Sequence, residues 1–251
     1  DICRVNIDTG ELTPILSTDH EYLVCDQRSR ISASAPKAKG ISPSGNYAVS
    51  TRSRVDQTPE TLLLDRDGKE LLIVETADIS GLPENVTWPD PVMLKAADGK
   101  TDIYGVVFRP SNFDPTKTYP ILDCTYHYGS PVGSFTNNSN GNSHYLSTWA
   151  YAELGFICVV VFNRGNEGLR DSLFNSYQDP VMPLEPLRLR FNKEDCVAGI
   201  KQLAGRHSYM DINRVGVVEF GSIPTAVAGL LVHPDFYSVG VSINTLLDFR
   251  L

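Results

Sequence analysis

No apolar run in this chain approaches the roughly 20 residues that a membrane-spanning helix needs. There is also no basic start followed by a hydrophobic stretch, so no signal peptide is visible. Basic residues are in deficit: 22 Lys and Arg stand against 30 Asp and Glu, a net charge of −8. Nucleic acid or an anionic membrane needs a basic face, so neither is expected as a partner. Histidines are few, and His20, His144, His207 and His233 show no ligand spacing with cysteines or acids. No metal and no cofactor is therefore expected. The five cysteines are an odd number without close pairing. Cys158 and Cys124 sit in apolar strands and read as small core hydrophobes, and a Cys3–Cys25 disulfide is conceivable. The chain opens on Asp1 rather than methionine, which reads as a processed, trimmed or fragmentary product. Asn85-Val86-Thr87 and Asn137-Asn138-Ser139 are sequons that matter only on secretion, and the compartment stays open.

What the chain does have is an ordinary globular composition, 41% hydrophobic and 21% charged. Two regions differ in pattern. Up to about Trp88 the chain reads as short antiparallel strands. Cys3, Val5 and Ile7 alternate before a turn at Asp8-Thr9-Gly10, and Leu12 and Ile15 follow. Ser42-Pro43-Ser44-Gly45 makes another turn, followed by alternating Tyr47, Val49 and Thr51. Leu62–Leu64 and Leu71–Val74 flank Asp65-Arg66-Asp67-Gly68, a hairpin signal. Repeated hairpins of this kind fit blades of a β-propeller, though too few for a closed ring.

Pro83, Pro89 and Pro91 punctuate the change to the second region. There Val92–Ala96 and Ile103–Phe108 surround the turn Asp98-Gly99-Lys100. Apolar runs at Ile121–Thr125, Phe156–Phe162, Val215–Val218 and Val239–Ile243 then suit strands covered by helices on both faces. Candidate helix stripes are Leu146, Trp149, Ala150 and Leu154; Cys196, Val197, Ile200 and Leu203; and Ile223, Val227, Leu230 and Leu231. The expected fold is α/β, with a partial α/β-hydrolase sheet preceded by a β-propeller fragment. The expected division is residues 1–88 and 89–251.

Residues 214–225, Arg-Val-Gly-Val-Val-Glu-Phe-Gly-Ser-Ile-Pro-Thr, have the form of a nucleophile elbow without its nucleophile. In a G-x-S-x-G elbow a buried strand turns sharply into a helix with serine at the apex. Here Gly221 takes the apex, and Glu219 and Ile223 take the flanking glycine positions. Ser222, one place on, reads as a helix N-cap with Pro224 in the first turn, or else as a displaced nucleophile. Glu219 reads as a sign that close strand–helix packing has relaxed.

Further segments bear on identity: Ile41-Ser42-Pro43-Ser44-Gly45-Asn46-Tyr47, Ala97-Asp98-Gly99-Lys100, Ile103-Tyr104-Gly105, and Tyr119-Pro120-Ile121-Leu122 leading to Tyr128-Gly129-Ser130-Pro131. Asn163-Arg164-Gly165-Asn166-Glu167-Gly168, Asn192-Lys193-Glu194-Asp195, Asp211–Gly216 and His233-Pro234-Asp235 follow in order. Together they resemble the prolyl oligopeptidase family of serine peptidases, in its dipeptidyl-peptidase-like and acylaminoacyl-peptidase-like branches. The lasso-peptide isopeptidases share this pattern. The resemblance implies a peptide as substrate or ligand. It also implies an oxyanion hole made by the Tyr128 hydroxyl, with Tyr126 as the competing register, and by the N–H of Ser222. Arg164 would anchor its loop to a carboxylate, Asp195 being the candidate. His127 lies near the same loop and reads as a structural or surface residue.

The family's triad runs nucleophile, acid, histidine along the chain. After Gly221 the only acids are Asp235 and Asp248, and no histidine follows either. The expectation is a hydrolase unit inactive as it stands. The alternatives are a non-enzymatic module binding a peptide or partner, or hydrolysis through Ser222 with acid and base from another chain. Open sheet edges would favour self-association.

Overall fold

Glycines at positive φ set the hairpins of the first part of the chain. β1 (Ile2–Val5) and β2 (Leu12–Leu16) pair antiparallel around a turn in which Gly10, at φ 72°, donates to the Asn6 carbonyl. Gly45, at φ 69°, closes the turn onto Ser42 that leads into β4. Gly68, at φ 84°, lets the chain reverse between β5 and β6, while Asp65 Oδ1 accepts from the N–H of Asp67 and Lys69. A side chain is disfavoured at such φ, and glycine removes the penalty. β3 (Glu21–Leu23), β4 (Tyr47–Arg54), β5 (Gln57–Asp65) and β6 (Glu70–Thr76) form one antiparallel sheet in that order.

The computed structural model describes residues 2–24, 40–82, 84–125, 141–164, 184–220 and 225–243. They divide into two compact units, residues 2–84 together with 141–146, and residues 85–125 together with 147–243. In the first, the face of β4 is the reverse of its apolar alternation: Tyr47 and Val49 are exposed, whereas Ser50 and Ser53 are buried. From β5, Leu62 and Leu64 are buried beside them. Cys3 is an exposed free thiol, and Cys25 lies outside the described residues.

The second unit holds a six-stranded mixed sheet. β7 (Asp90–Lys95) and β8 (Asp102–Phe108) form the expected hairpin, followed by β9 (Tyr119–Asp123), α1 (Gly141–Glu153) and β10 (Ile157–Phe162). Then come α2 (Leu184–Arg206), β11 (Met210–Phe220), α3 (Thr225–Val232) and β12 (Val239–Ile243). The order across the sheet is β12-β11-β9-β10-β8-β7, parallel from β12 to β10 and antiparallel beyond.

Helices α2 and α3 pack on the face carrying Ile121, Val159, Val161, Val215 and Val217, all buried. The α2 stripe Cys196, Val197, Ile200 and Leu203 is buried as expected. The other two stripes hold in part: Trp149 is buried and Leu230 packs on the core, while Leu146 and Ile223 lie outside the described side chains. On α1 the buried residues are Thr148, Trp149 and Ala152, while Ala150 is exposed and Leu154 lies beyond the helix at 74% exposure. The helix ends there because Gly155, at φ 96°, takes a left-handed cap and donates to the Ala152 carbonyl. On α3 the buried positions are Thr225, Ala226 and Gly229, and Leu231 faces solvent. Gly229 has a reason to be small, because a Cβ there would meet the Tyr237 ring at 3.2 Å.

Candidate active site

In an open α/β sheet, ligands are met at the carboxyl ends of the parallel strands. Those ends here are Asp123 of β9, Phe162 of β10, Phe220 of β11 and Ile243 of β12. β11 runs to Phe220 and α3 begins at Thr225, so the strand-to-helix connection falls on residues 221–224, where the sequence places the elbow. Gly221, Ser222 and Tyr128 all lie outside the described residues, as do Tyr126 and His127. What the structure does give is the set of side chains at the ends of the flanking strands and helices.

Glu219, two residues before the expected apex, is buried and well bonded. Its Oε2 accepts from Thr225 Oγ1 at 2.6 Å and from the Ala226 N–H, and its Oε1 accepts from Ser242 Oγ at 2.7 Å. One carboxylate thus joins the end of β11 to the start of α3 and to β12. The reading of Glu219 as a mark of relaxed packing is corrected. A buried carboxylate is costly only without partners, and the helix N-terminus supplies them with favourable sign. Thr225 itself is fully buried, so its hydroxyl is held on Glu219.

A second carboxylate sits at the end of β9. Asp123 Oδ2 accepts from Lys193 Nζ at 2.9 Å and from Tyr237 Oη at 2.7 Å, and Oδ1 accepts from the Thr125 N–H at 2.9 Å. All three side chains are buried, with Lys193 1% exposed and Asp123 0%. Burial opposes the Asp123 charge, but the Lys193 ammonium and the hydrogen bonds outweigh it and hold the carboxyl below its usual value. Burial likewise opposes the Lys193 charge, and Asp123, with Glu219 adding to its pull, keeps the ammonium above its usual value. The Tyr237 phenol is pushed up, by burial first and then by Asp123, so it stays a proton donor. Lys193 and Tyr237 both donate to the same oxygen of Asp123. The trio ties the end of β9 to α2 and to the segment between α3 and β12.

The third feature is the anchor of the loop after β10. Arg164 donates from Nε to Asp195 Oδ2 at 3.0 Å and from Nη2 to Oδ1 at 2.8 Å, and its backbone N–H also reaches Oδ2 at 3.0 Å. The expected partner is therefore the observed one. Arg164 Nη1 also reaches Asp98 Oδ2 at 3.1 Å, and Asp195 Oδ1 accepts from the Ala97 N–H at 2.9 Å. The turn of the β7–β8 hairpin, the end of β10 and α2 are fixed to one another by one guanidinium and one carboxylate.

The remaining histidines are dispersed. His20 bonds Gln57 at 2.8 Å, and His207 stacks on Tyr209 with ring centroids 5.1 Å apart. His233 is half-buried, and its Nε2 finds no hydrogen-bond partner among the described residues. Among the described residues no three His, Cys, Asp or Glu side chains gather in a way that could hold a metal ion.

Sequence reasoning missed the Asp123–Lys193–Tyr237 trio and the bonding of Glu219. A signal for the first was present: Asp123 interrupts an apolar run, Ile-Leu-Asp-Cys, at a strand end.

The parallel strands, their helical crossovers and the strand-to-helix turn after β11 define this unit as part of an α/β-hydrolase sheet. No family model matches the chain. Dipeptidyl peptidase 8 of Homo sapiens is 27% identical over 169 residues, which is 66% of this chain and 17% of that protein. A solved structure from Bacteroides ovatus, described as a dipeptidyl aminopeptidase IV, superposes with a TM-score of 0.71 at 23% identity. It covers 98% of this chain, which in turn covers 32% of it. Dipeptidyl peptidase 4 of Porphyromonas gingivalis superposes with a TM-score of 0.58 at 21% identity over 82% of this chain and 28% of its own. These structures carry a β-propeller beside an α/β-hydrolase, and the present fold is part of each. The chain is a relative of the prolyl oligopeptidase family of serine peptidases, on its dipeptidyl-peptidase-like side. It spans less than a fifth of the length of the human relative.

Proposed function

We propose that this chain is a hydrolase-type unit of the prolyl oligopeptidase kind that does not cleave peptides by itself. The observation that carries this reading is Gly221 at the expected apex, in a connection of which Ser222 is the only hydroxyl-bearing residue. In a complete enzyme of this type a serine oxygen attacks the peptide carbonyl, a histidine takes its proton, and water later releases the acyl group. In this reading Lys193, Asp123 and Tyr237, bonded to one another and buried, do not stand in for that histidine.

In this reading residues 1–88 correspond to propeller and residues 89–251 to the peptidase domain. The Ser222 N–H and the Tyr128 hydroxyl correspond to oxyanion donors that no longer serve a nucleophile. A peptide remains the ligand class that such a face would bind, which makes a peptide-binding or partner-binding module the second reading. Treatment with a fluorophosphonate probe and with Xaa-Pro and acylaminoacyl substrates is expected to give neither labelling nor turnover. Labelling or turnover that Ser222→Ala abolishes would overturn the proposal. Calorimetric titration with an uncleaved Xaa-Pro peptide separates the two readings, since saturable binding without turnover belongs to the second.

A further inference from the structure

Two of the buried thiols lie side by side. In β10, Ile157, Val159 and Val161 face the core shared with α2, so the alternate residues Cys158 and Val160 point to the other face of the sheet. In β9, Ile121 faces that same core and Asp123 reaches Lys193 of α2, which turns Cys124 to the face of Cys158. The strands run parallel, with Cys158 opposite Leu122 and the Cys124 N–H donating to the Val159 carbonyl at 2.9 Å. Cys124 and Cys158 are therefore diagonal neighbours on one face. Their thiols are close enough to act on each other, and the Thr148 hydroxyl of α1 reaches the Cys124 thiol as well. Both cysteines are free, with Cys158 0% and Cys124 9% exposed. Their surroundings are apolar: on β8, Phe108 stands opposite Cys158 and Val106 opposite Val160, and both are buried.

Two sulfurs without a third ligand narrow the chemistry. Structural zinc takes four protein ligands, and calcium or magnesium takes oxygen, so none of them fits a pair of thiols. Among the described residues no third His, Cys, Asp or Glu completes the group. Asp123, next in the chain, is held on the opposite face by Lys193 and Tyr237. Cys196 belongs to that opposite face too, in the core beside Asp123 and Lys193. A soft, closed-shell monovalent cation has other needs: two thiolates in a line satisfy it, and the softness of sulfur supplies the affinity.

We propose that Cys124 and Cys158 form a two-coordinate site for monovalent copper, held between β9 and β10 beside α1. The ion arrives as a complex with two low-molecular-weight thiolates. Cys124, which is the more exposed and follows the last residue of β9, replaces one of them, and Cys158 replaces the other. Each cysteine hands its proton to the thiol that leaves, so charge is conserved and nothing is oxidised or reduced. Burial pushes the Cys124 thiol well up; the Cys158 thiol and the Asp123 carboxylate add to the rise, and the Thr148 hydroxyl opposes it. Only a cation with a strong preference for sulfur repays the loss of that proton, which keeps harder ions out. Once the proton has gone, the Thr148 hydroxyl is placed to donate to the Cys124 thiolate.

Anaerobic titration of the reduced chain with monovalent copper, in competition with the chelator bicinchoninate, tests this in a Cys3→Ser, Cys25→Ser background. One ion per chain is expected, with two sulfur neighbours in X-ray absorption. Cys124→Ala and Cys158→Ala should each weaken binding by about a hundredfold or more, because even the outer partners of a metal site are worth about 10–100-fold. Cys196→Ala should leave binding unchanged. If either of the first two variants fails to fold, Cys196→Ala decides instead, since only Cys124 and Cys158 then remain to hold the ion. Binding that survives Cys158→Ala, a third sulfur neighbour, or loss of the ion in Cys196→Ala would overturn the proposal. So would a chain that leaves all the copper with the chelator, or copper shared between two chains on sedimentation.

Discussion

Lys193 Nζ lies 2.9 Å from Asp123 Oδ2, and neither side chain reaches solvent. An ion pair at this depth is more dangerous to break than valuable to have. Removing one partner strands a charge, whereas replacing both with apolar groups of similar size removes the desolvation cost together with the attraction. Lys193→Met is therefore expected to destabilise the chain by about 3–5 kcal/mol in chemical denaturation. The double variant Asp123→Leu, Lys193→Met should recover a large share of that loss. Equal destabilisation by the single and double variants would refute the stranded charge as the cause.

His233 should control stability near neutral pH. Burial lowers its affinity for a proton; Lys201 and Lys193 act in the same direction, and Glu194 opposes them. The unfolded chain then binds a proton on this ring more readily than the folded chain does. The stability it contributes is complete above the unfolded value, about 6.5, and is lost as pH falls from there toward the lower folded value. Melting temperatures recorded between pH 8 and pH 5 should fall across this window, and His233→Gln should flatten that part of the profile. An unchanged slope in the variant would assign the effect elsewhere.

Glu219→Gln tests the tie beneath the turn. The carboxylate accepts from Thr225, Ala226 and Ser242, whereas an amide can accept through one oxygen only. Hydrogen bonds to charged groups are worth about 1.5–3 kcal/mol each, so a loss of about 2 kcal/mol is expected. Hydrogen exchange would locate it, with the Ala226 amide losing protection before amides in the middle of α2. Thr225→Ala should cost less, because the Ala226 N–H still reaches the carboxylate.

Gly221→Ser is expected to leave fluorophosphonate labelling at the level of the unaltered chain. A serine at the apex needs a base to take its proton, and Asp123, Lys193 and Tyr237 are bonded to one another. Strong labelling of the variant would place a general base within reach of the turn and would sink the inactive reading.

Much of the architecture was legible in the chain. Asp65-Arg66-Asp67-Gly68 and Asp98-Gly99-Lys100 announced hairpins because a local side-chain-to-backbone bond and a positive-φ glycine need nothing from elsewhere. The Arg164–Asp195 pair was also readable, since a guanidinium at a strand end calls for a carboxylate. Helix rotation was less readable. On α1 and α3 small residues, Ala152, Ala226 and Gly229, are buried beside Trp149, so a search for large apolar residues alone leaves part of each face unread. Ser50 defeats the alternation rule on β4 in the same way. The buried trio was hidden for another reason: Asp123 finds Lys193 70 residues away and Tyr237 114 residues away, and no local pattern reports such a partner.

The Asp195 carboxylate has a consequence for the order in which this unit assembles. It binds the Arg164 backbone 31 residues before it and the Ala97 N–H 98 residues before it. Neither bond can form until the β7–β8 hairpin, β10 and α2 have met, so the loop-closure entropy is spent before the carboxylate returns anything. Asp195 thus acts as a latch that closes after assembly rather than a nucleus that starts it. Its removal should shorten the lifetime of the folded state while leaving the rate of reaching that state nearly unchanged.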